Sequence, residues 1–318
     1  MNNLNYWNQY KIDRSEFTDW VEISLLDFRK SLKSIKFTDD ESLIKLKKAI
    51  SYAIFNEGKR IRPLLCIAAG EIVGTRSNIN MLVAAAIEMV HVYSLCQDDM
   101  PCMDNDTYRH GKLSLHEKYS VSTASLVCDA LLAEAFYILS TLPFSDTRKV
   151  KMIQELSRTI GAEGMTAGQF LDLESNYFKS SVKHIERISY LKTTTLIQAS
   201  LKMGVLCSNH IEDNDLDKYF NILERYGYLF GQAYQIIDDV LDCCDDKNII
   251  GKTPGKDLRD NKATSVSCIG KKKSIDKALN FLDDSIKQVQ LLEKDSLGLM
   301  GLSLSMIDKL LKLGGSYD

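Results

Sequence analysis

Two short acidic segments carry the residues of this chain that are best suited to chemistry. The first reads DDMPCMDND at 98–106 and the second DDVLD at 238–242, so about 140 residues separate them. Each ends an apolar stretch with helical spacing. Carboxylates gathered at the mouth of an apolar cavity would bind Mg²⁺ and, through it, a diphosphate with an apolar tail.

The spacing within each segment favours chelation. Asp238 and Asp242 lie one helical turn apart, and Gln235 shares their face. Pro101 cannot continue a regular helix without losing a backbone bond, so we predict a bend that brings Asp104 back toward Asp98. One Asp cluster alone is more often a solvated surface, whereas two clusters that each end an apolar helix favour a metal site.

Helices must position these carboxylates. Apolar residues recur every three to four positions and the chain has only four prolines, which predicts a nearly all-helical protein. The predicted helical stretches are 20–54, which is one or two amphipathic helices, and 63–73, 80–97, 120–141, 147–174, 185–206, 214–243 and 272–292. The stretches 63–73 and 80–97 are apolar on all sides, as in the middle of a bundle. The sequence shows no linker, so we predict a single all-α domain over 1–318.

Composition excludes several classes of protein. The chain is 45% hydrophobic with a net charge of -3, which favours neither nucleic acid nor an anionic membrane as a partner. Eight cysteines without C-x-x-C spacing and a start unlike a signal peptide predict a cytoplasmic protein with free thiols. We also expect no membrane span, because no uninterrupted apolar run reaches roughly 18 to 20 residues.

Basic residues beside the acidic segments could hold a diphosphate. GKRIRP stands at 58–63, Arg109 follows the first acidic segment, and Lys192-Thr193 stands in mid-chain. Lys252, Lys256 and Lys262 follow the second acidic segment. The loop GxxxxGK[ST], which binds nucleoside triphosphates, is absent from the sequence. Arg60 and Lys256 are interpreted as surface charges, and 271–273 as a solvated helix start.

Five segments together closely resemble the conserved regions of the short-chain trans-prenyl diphosphate synthases, the farnesyl and geranylgeranyl diphosphate synthase family. They are GKRIRP (58–63), QDDMPCMDNDTYRHGK (97–112), Lys192-Thr193, GQAYQIIDDVLD (231–242) and GKTPGKD (251–257). Gly168-Gln169 with Asp172 also resembles a family segment. The resemblance implies an isoprenoid-synthase-type helical bundle around a deep central cavity, and a homodimer.

The resemblance also implies the reaction. Isopentenyl diphosphate would condense head-to-tail, 1'-4, with dimethylallyl or geranyl diphosphate to give farnesyl diphosphate. The allylic diphosphate leaves to give a carbocation, the double bond of isopentenyl diphosphate attacks it, and the departed diphosphate accepts the proton. Three Mg²⁺ ions and prepositioned Lys and Arg side chains would stabilise the leaving anion.

Individual roles follow from the same resemblance. The metal ligands would be Asp98 and Asp104 for two Mg²⁺ ions and Asp238 for the third. The ligands of the allylic diphosphate would be Arg109, Lys192 and Lys252, with Lys262 close behind. The residues that line the carbocation would be Lys192, Thr193 and Gln235, and those that cradle isopentenyl diphosphate would be Lys59, Arg62 and His91.

The chain departs from the family pattern at His110, where a second arginine usually grips isopentenyl diphosphate. Histidine carries only partial charge near neutral pH and has fewer donors than arginine. We therefore predict weaker binding of isopentenyl diphosphate, improved at lower pH or by His110→Arg. Cys128 replaces a usual glycine, Leu113 replaces a proline, and the basic C-terminal tail of many members is missing.

Tyr93 bears on product length. It precedes Asp98 by five residues, about 7.5 Å along a helix at 1.5 Å per residue. An aromatic residue there resembles the cavity floor of farnesyl synthases, which predicts a product of fifteen carbons. The alternatives are a geranylgeranyl diphosphate synthase, a catalytically weak regulatory subunit of another prenyl synthase, and a terpene cyclase of related architecture.

Overall fold

The computed structural model describes residues 6–56, 58–174, 181–208, 211, 213–243, 264–294 and 296–314. The helices are α1 (Tyr6–Gln9), α2 (Arg14–Ser34), α3 (Ile44–Ile54), α4 (Ile61–Ile72), α5 (Asn78–Asp98), α6 (Leu115–Lys118), α7 (Val121–Thr141), α8 (Asp146–Ile160), α9 (Met165–Glu174), α10 (Val182–Ser189), α11 (Thr195–Leu206), α12 (Asp213–Asp242), α13 (Ser265–Ile269), α14 (Lys271–Gln290) and α15 (Leu297–Gly314). Strands β1 (Tyr108–Arg109) and β2 (Lys112–Leu113) form a small antiparallel hairpin. The predicted all-α class is confirmed.

Helices α4, α5 and α11 form the centre of the bundle. In α4 every residue except Glu71 is buried, and α11 is buried almost throughout. Helix α4 packs against both α5 and α11. A Cβ atom at Gly204 would lie 2.2 Å from the carbonyl oxygen of Cys66, so glycine permits the close approach of α11 to α4. The helices predicted to be apolar on all sides therefore occupy the core.

The outer helices cover this centre. Helix α12 packs against α11 and α14, α7 packs against α5, and α2 lies along α5. The carboxyl ends of α5 and α12 both reach the cavity described below, since α5 ends at Asp98 and α12 at Asp242. The fold thus brings together two acidic segments that are distant in sequence.

Some helices differ from those predicted. The stretch 147–174 divides at Gly161 and Gly164 into α8 and α9, whereas 20–54, predicted as one or two helices, forms α2 and α3. Helix α15 was not predicted, because Gly298 and Gly301 weaken its helical pattern. Both glycines are needed for packing: a Cβ atom at Gly301 would lie 2.0 Å from the Phe17 ring, and one at Gly298 would lie 2.7 Å from Trp20.

Among the described residues, α5 and α7 are long and apolar enough to cross a membrane by length and composition alone. Neither is an uninterrupted apolar run, since Glu88 interrupts α5 and Asp129 and Glu134 interrupt α7. In α5, 67% of the apolar window is buried inside the molecule, so packing in the core explains why this helix is apolar. In α7 the buried share is 33%, so part of its apolar surface faces outward.

Candidate active site

A cavity of about 1150 Å³ opens where α4, α5, α9 and α12 converge. Pockets for one small ligand usually span roughly 300 to 1000 Å³, so this cavity is slightly larger than that range. All twelve predicted site residues that the structure describes line it: Lys59, Arg62, His91, Tyr93, Asp98, Asp104, Arg109, His110, Lys192, Thr193, Gln235 and Asp238. Lys252 and Lys262 lie outside the described residues.

The first acidic segment folds back on itself after α5. The Asp104 backbone N–H donates to the Asp98 carbonyl oxygen at 2.9 Å, and that of Asp106 donates to Asp99 at 3.1 Å. The bend predicted at Pro101 is therefore confirmed. It brings Asp98 and Asp104 to the same wall of the cavity.

Arg109 holds this folded segment in place. Its Nε donates to Asp99 Oδ1 at 3.0 Å, its Nη2 also binds Asp99, and Nη2 lies 3.4 Å from Asp106 Oδ2. Burial alone would lower the pKa of Arg109, but Asp99 raises it above its ordinary value. Asp99 therefore forms an ion pair with Arg109, while Asp98 and Asp104 remain on the cavity wall.

Lys192 bridges the acidic wall and α9. Its Nζ lies 2.7 Å from Asp172 Oδ2 and 3.7 Å from Asp98 Oδ2. Burial alone would lower the pKa of Lys192, but Asp98, Asp172 and Asp104 raise it. A fixed positive charge therefore stands among these carboxylates.

A π-helical turn presents Lys192 and Thr193 to the cavity. The turn spans Tyr190–Thr194, and the N–H of Thr195 donates to the Tyr190 carbonyl five residues earlier. Such a turn inserts one extra residue into a helix and often marks functional positions. A Cβ atom at Gly168 would lie 2.4 Å from the backbone nitrogen of Lys192, so only glycine allows α9 to pack this closely against the turn.

The pKa of the Asp98 carboxylate is raised by its surroundings. Burial raises its pKa, Lys192 opposes this shift, and Asp104 and Asp172 add to it. Within the described ranges, no group of three His, Cys, Asp or Glu side chains is arranged to hold a metal by protein ligands alone. Mg²⁺ commonly binds through one or two carboxylates together with substrate phosphates, which fits such an arrangement.

A hydrogen-bonded chain runs along the cavity wall from the π turn to α12 and α13. Thr193 Oγ1 donates to Gln235 Oε1 at 3.0 Å, and Gln235 Nε2 donates to Asp239 Oδ1 at 3.1 Å. The backbone N–H of Ser265 donates to Asp239 Oδ2 at 2.9 Å. Asp239 therefore fixes the amide of Gln235, so that hydroxyl and amide oxygens stand at the cavity wall without a strong nucleophile.

A second group of cations lies at the junction of α4 and α5. Arg62 Nη1 donates to His91 Nε2 at 3.2 Å, and Arg62 Nε is buried without a hydrogen-bond partner among the described residues. Lys59 Nζ lies 5.8 Å from the centre of the Tyr234 ring. Burial and the nearby Arg62 and Arg60 keep the pKa of His91 well below its ordinary value. The arrangement suits an anion that accepts several donors at once.

The interpretation of Arg60 as a surface charge is wrong. Arg60 Nη1 forms an ion pair with Glu88, which is buried in α5, and its Nη2 donates to the carbonyl oxygen of Ile54 at 2.7 Å. Arg60 adopts a left-handed backbone conformation, with φ at 51°, just before α4. It therefore anchors the segment that carries Lys59 and Arg62.

His110 lies at the tip of the β1–β2 hairpin. His110 and Gly111 have φ of 52° and 74°, the pattern of a type I′ turn. His110 Nε2 lies 3.9 Å from where a Cβ atom would stand at Gly58. The hairpin thus brings the imidazole to the segment that carries Lys59.

Sequence reasoning did not assign roles to several residues of this cavity. Asp172 and Asp239 position Lys192 and Gln235, and Asp99 holds Arg109. Asp99 and Asp239 stand inside the two acidic segments, which was a signal for them. Lys309 of α15 also lines the cavity, and no motif in the sequence marks it.

Comparison with known proteins agrees with this geometry. Residues 44–296 match the family model described as polyprenyl synthetase. The farnesyl diphosphate synthase of Haemophilus influenzae is 37% identical over 252 residues, covering 79% of this chain and 84% of that protein. The chloroplastic geranylgeranyl pyrophosphate synthase 7 of Arabidopsis thaliana is 38% identical over 250 residues, covering 77% and 71%.

A solved structure is similar over nearly the whole chain. The geranyltransferase of Helicobacter pylori, complexed with magnesium and isoprenyl diphosphate, superposes with a TM-score of 0.80 at 29% identity. The match covers 92% of this chain and 97% of that one. The chain therefore belongs to the polyprenyl synthetase family and has the isoprenoid synthase fold. It is a prenyltransferase of the farnesyl or geranylgeranyl diphosphate synthase type.

Proposed function

We propose that this protein is a Mg²⁺-dependent farnesyl diphosphate synthase. It would condense isopentenyl diphosphate with dimethylallyl diphosphate, and then with geranyl diphosphate, in head-to-tail fashion. The observation that carries the proposal is the cavity in which acidic and basic residues from distant parts of the sequence face each other. Its basic residues can stabilise an anion that leaves, and its acidic and neutral oxygens can stabilise a cation that forms.

The donor chemistry of the acidic wall fits Mg²⁺. Asp98 and Asp104 offer hard carboxylate oxygens on one acidic segment, and Asp238 offers them on the other. The raised pKa of Asp98 reflects burial and the crowding of Asp104 and Asp172, which a divalent cation would relieve. When bound, Mg²⁺ would withdraw charge from the diphosphate oxygens of the allylic substrate.

Side chains of the protein would carry the other parts of the reaction. Lys192 and Arg109 would stabilise negative charge as the allylic C–O bond breaks and its electron pair leaves with diphosphate. The oxygens of Thr193 and Gln235 would stabilise the allylic cation without attacking it. The double bond of isopentenyl diphosphate then forms the new C–C bond, which leaves a second carbocation. The released diphosphate accepts a proton from that cation, and the electron pair of the broken C–H bond forms the double bond of the product.

The direct test is incubation of the purified chain with labelled isopentenyl diphosphate and each allylic primer of five, ten and fifteen carbons, with and without Mg²⁺. We expect metal-dependent elongation of the two shorter primers to fifteen carbons. Product formation by the isolated chain would exclude a regulatory subunit that needs a partner. Consumption of isopentenyl diphosphate would exclude a terpene cyclase. No elongation of any primer would refute the proposal.

Tyr93 supports a product of fifteen carbons. It lines the cavity one turn and a half before Asp98, and its backbone carbonyl is 3.8 Å from the buried Cys128 Sγ. We expect Tyr93→Ala to lengthen the main product to twenty carbons or more, because the ring would no longer block the chain. Tyr93→Phe keeps the ring and should keep the fifteen-carbon product.

Chromatography of the dephosphorylated products shows whether each variant makes fifteen or twenty carbons. If Tyr93→Ala still stops at fifteen carbons, Tyr93 is not the floor of the cavity. If the unmodified protein already makes twenty carbons, the geranylgeranyl alternative replaces the farnesyl proposal.

We also propose a homodimer, in line with the family resemblance. Its support in this chain is α7, where Leu126 and Tyr137 are 60% and 63% exposed along one face. Exposed apolar surface on a long helix commonly marks an interface.

A further inference from the structure

Helix α15 brings to the cavity a lysine that belongs to none of the recognised motifs. Lys309 lines the cavity together with Lys59, Arg62 and His91. Asp238 lines the same cavity. Lys309 also lines a smaller neighbouring cavity of about 270 Å³, and so stands in the wall between the two.

This gathering of positive charge is unfavourable without an anion. Burial and the adjacent Lys59 lower the pKa of Lys309, and Asp238 opposes that shift. Arg62 is only 9% exposed, and its Nε has no hydrogen-bond partner in the described part of the structure. A buried donor left unmet costs free energy, and so does the contact of two like charges. A diphosphate group would satisfy both.

The same segment of chain is contacted by the residue that replaces the family's second arginine. His110 Nε2 lies 3.9 Å from the Cβ position at Gly58, and Lys309 lines the same cavity as the next residue, Lys59. Histidine supplies fewer donors and less charge than arginine near neutral pH. Lys309 therefore adds a cation to a pocket that has lost one.

We propose that Lys309 binds the diphosphate of isopentenyl diphosphate beside Lys59, and supplies charge that His110 provides only in part. The inference rests on the proposed prenyl transfer, because it names a ligand of the second substrate. It makes α15, rather than a basic C-terminal tail, the source of the additional cation.

The test compares Lys309→Gln with Lys309→Arg and with Lys312→Gln. Lys312 lies on the same helix, one turn later, and lines only the smaller cavity. Binding of isopentenyl diphosphate is measured by calorimetry without allylic substrate or metal, and KM values for both substrates by steady-state kinetics. We expect Lys309→Gln to weaken binding and raise the KM for isopentenyl diphosphate about tenfold, the effect of losing one charged hydrogen bond. Lys309→Arg and Lys312→Gln should stay within about twofold of the parent, since both keep that charge.

Two further measurements separate a binding role from a structural one. Lys309→Gln should leave the Tm of the free protein unchanged or raise it, because it removes repulsion from Lys59. Adding His110→Arg to Lys309→Gln should recover part of the lost affinity, since arginine restores a cation at the same segment.

The outcomes decide between the alternatives. Unchanged affinity for isopentenyl diphosphate in Lys309→Gln overturns the inference, as does a rise confined to the KM of the allylic substrate. A lower Tm with unchanged affinity assigns Lys309 to packing and also overturns it. If the parent protein elongates no primer, the proposed function fails, while the calorimetric comparison still decides whether Lys309 binds the diphosphate.

Discussion

The contact between Arg62 and His91 shows how one residue can be tuned by its neighbours. Arginine can only donate, so the 3.2 Å contact from Arg62 Nη1 requires His91 Nε2 to accept. Burial comes first among the causes that lower the pKa of His91, followed by the charges of Arg62, Arg60, His110 and Arg109. The imidazole is therefore neutral near pH 7 and orients Arg62 toward the cavity.

This neutral histidine predicts a pH dependence of stability. In the folded protein the pKa of His91 is well below 6.5, so between that lower value and pH 6.5 the unfolded chain binds a proton that the folded chain does not. Stability should then be present above pH 6.5 and decline as the pH falls below it, by up to about 1.4 kcal/mol per pH unit. Urea unfolding at pH 7.5 and 5.5 measures the decline.

The variant His91→Gln isolates this contribution. Its amide oxygen can still accept from Arg62 but does not titrate, so the decline between pH 7.5 and 5.5 should become smaller. His184→Gln, on α10 and outside the cavity lining, should keep the parent's decline. Equal declines in the parent and in His91→Gln would show that His91 does not titrate in this way.

At the scale of secondary structure, the site depends on irregular turns between regular helices. The π turn at Tyr190–Thr194 presents Lys192, the reversal after α5 returns Asp104 toward Asp98, and the hairpin presents His110. Each is held by a specific contact: Gly168 packs against Lys192, Arg109 binds Asp99, and the Tyr52 hydroxyl donates to the Leu113 carbonyl oxygen of the hairpin at 2.7 Å. The helices make the site rigid, and the turns orient its side chains toward the cavity.

Gly168→Ala tests the support of the π turn. The new methyl group would lie 2.4 Å from the Lys192 nitrogen and 2.7 Å from its Cα, so the backbone of the turn must move. Because small displacements of positioning residues can cost up to about a hundredfold in rate, we expect kcat to fall about tenfold to a hundredfold. The KM for isopentenyl diphosphate should change little, since Lys59 and Arg62 lie on other elements.

Gly161→Ala is the matched control, because a Cβ atom there meets only its own preceding turn, at 3.1 Å from the Ser157 carbonyl. Its kcat should remain close to that of the parent. Equal kcat values for Gly168→Ala and Gly161→Ala would mean that the turn tolerates the added methyl group.

These elements also show what could be predicted from sequence. The core helices α4 and α5 were predictable because apolar residues occupy every face, and the bend at Pro101 because proline ends a helix. The π turn was not, since its extra residue has no compositional mark at Lys192. Helix α15, and with it Lys309, was missed because glycines at 298 and 301, which admit Trp20 and Phe17, weaken the helical pattern.

At the scale of the whole molecule, the outward face of α7 is the feature that the single chain does not explain. Helix α7 is apolar enough to cross a membrane by composition, yet only 33% of its apolar window is buried. Its inner face, including Val127 and Leu131, packs in the core, whereas Leu126 and Tyr137 lie exposed. A second copy of the chain that covers this face would remove the exposed apolar surface from water.

The homodimer proposal therefore predicts that Leu126→Glu with Tyr137→Glu separates the subunits. Full burial of a large apolar side chain contributes about 1.5 to 3 kcal/mol, and two charges at the centre of such an interface would reverse that gain. Sedimentation equilibrium should give the parent twice its chain mass of 36.0 kDa and the double variant the single mass. The matched control is Ile23→Glu with Leu26→Glu on α2, whose side chains are 53% and 54% exposed and which should remain dimeric. A monomeric parent would refute the homodimer, and a dimeric α7 variant would assign the interface to another surface.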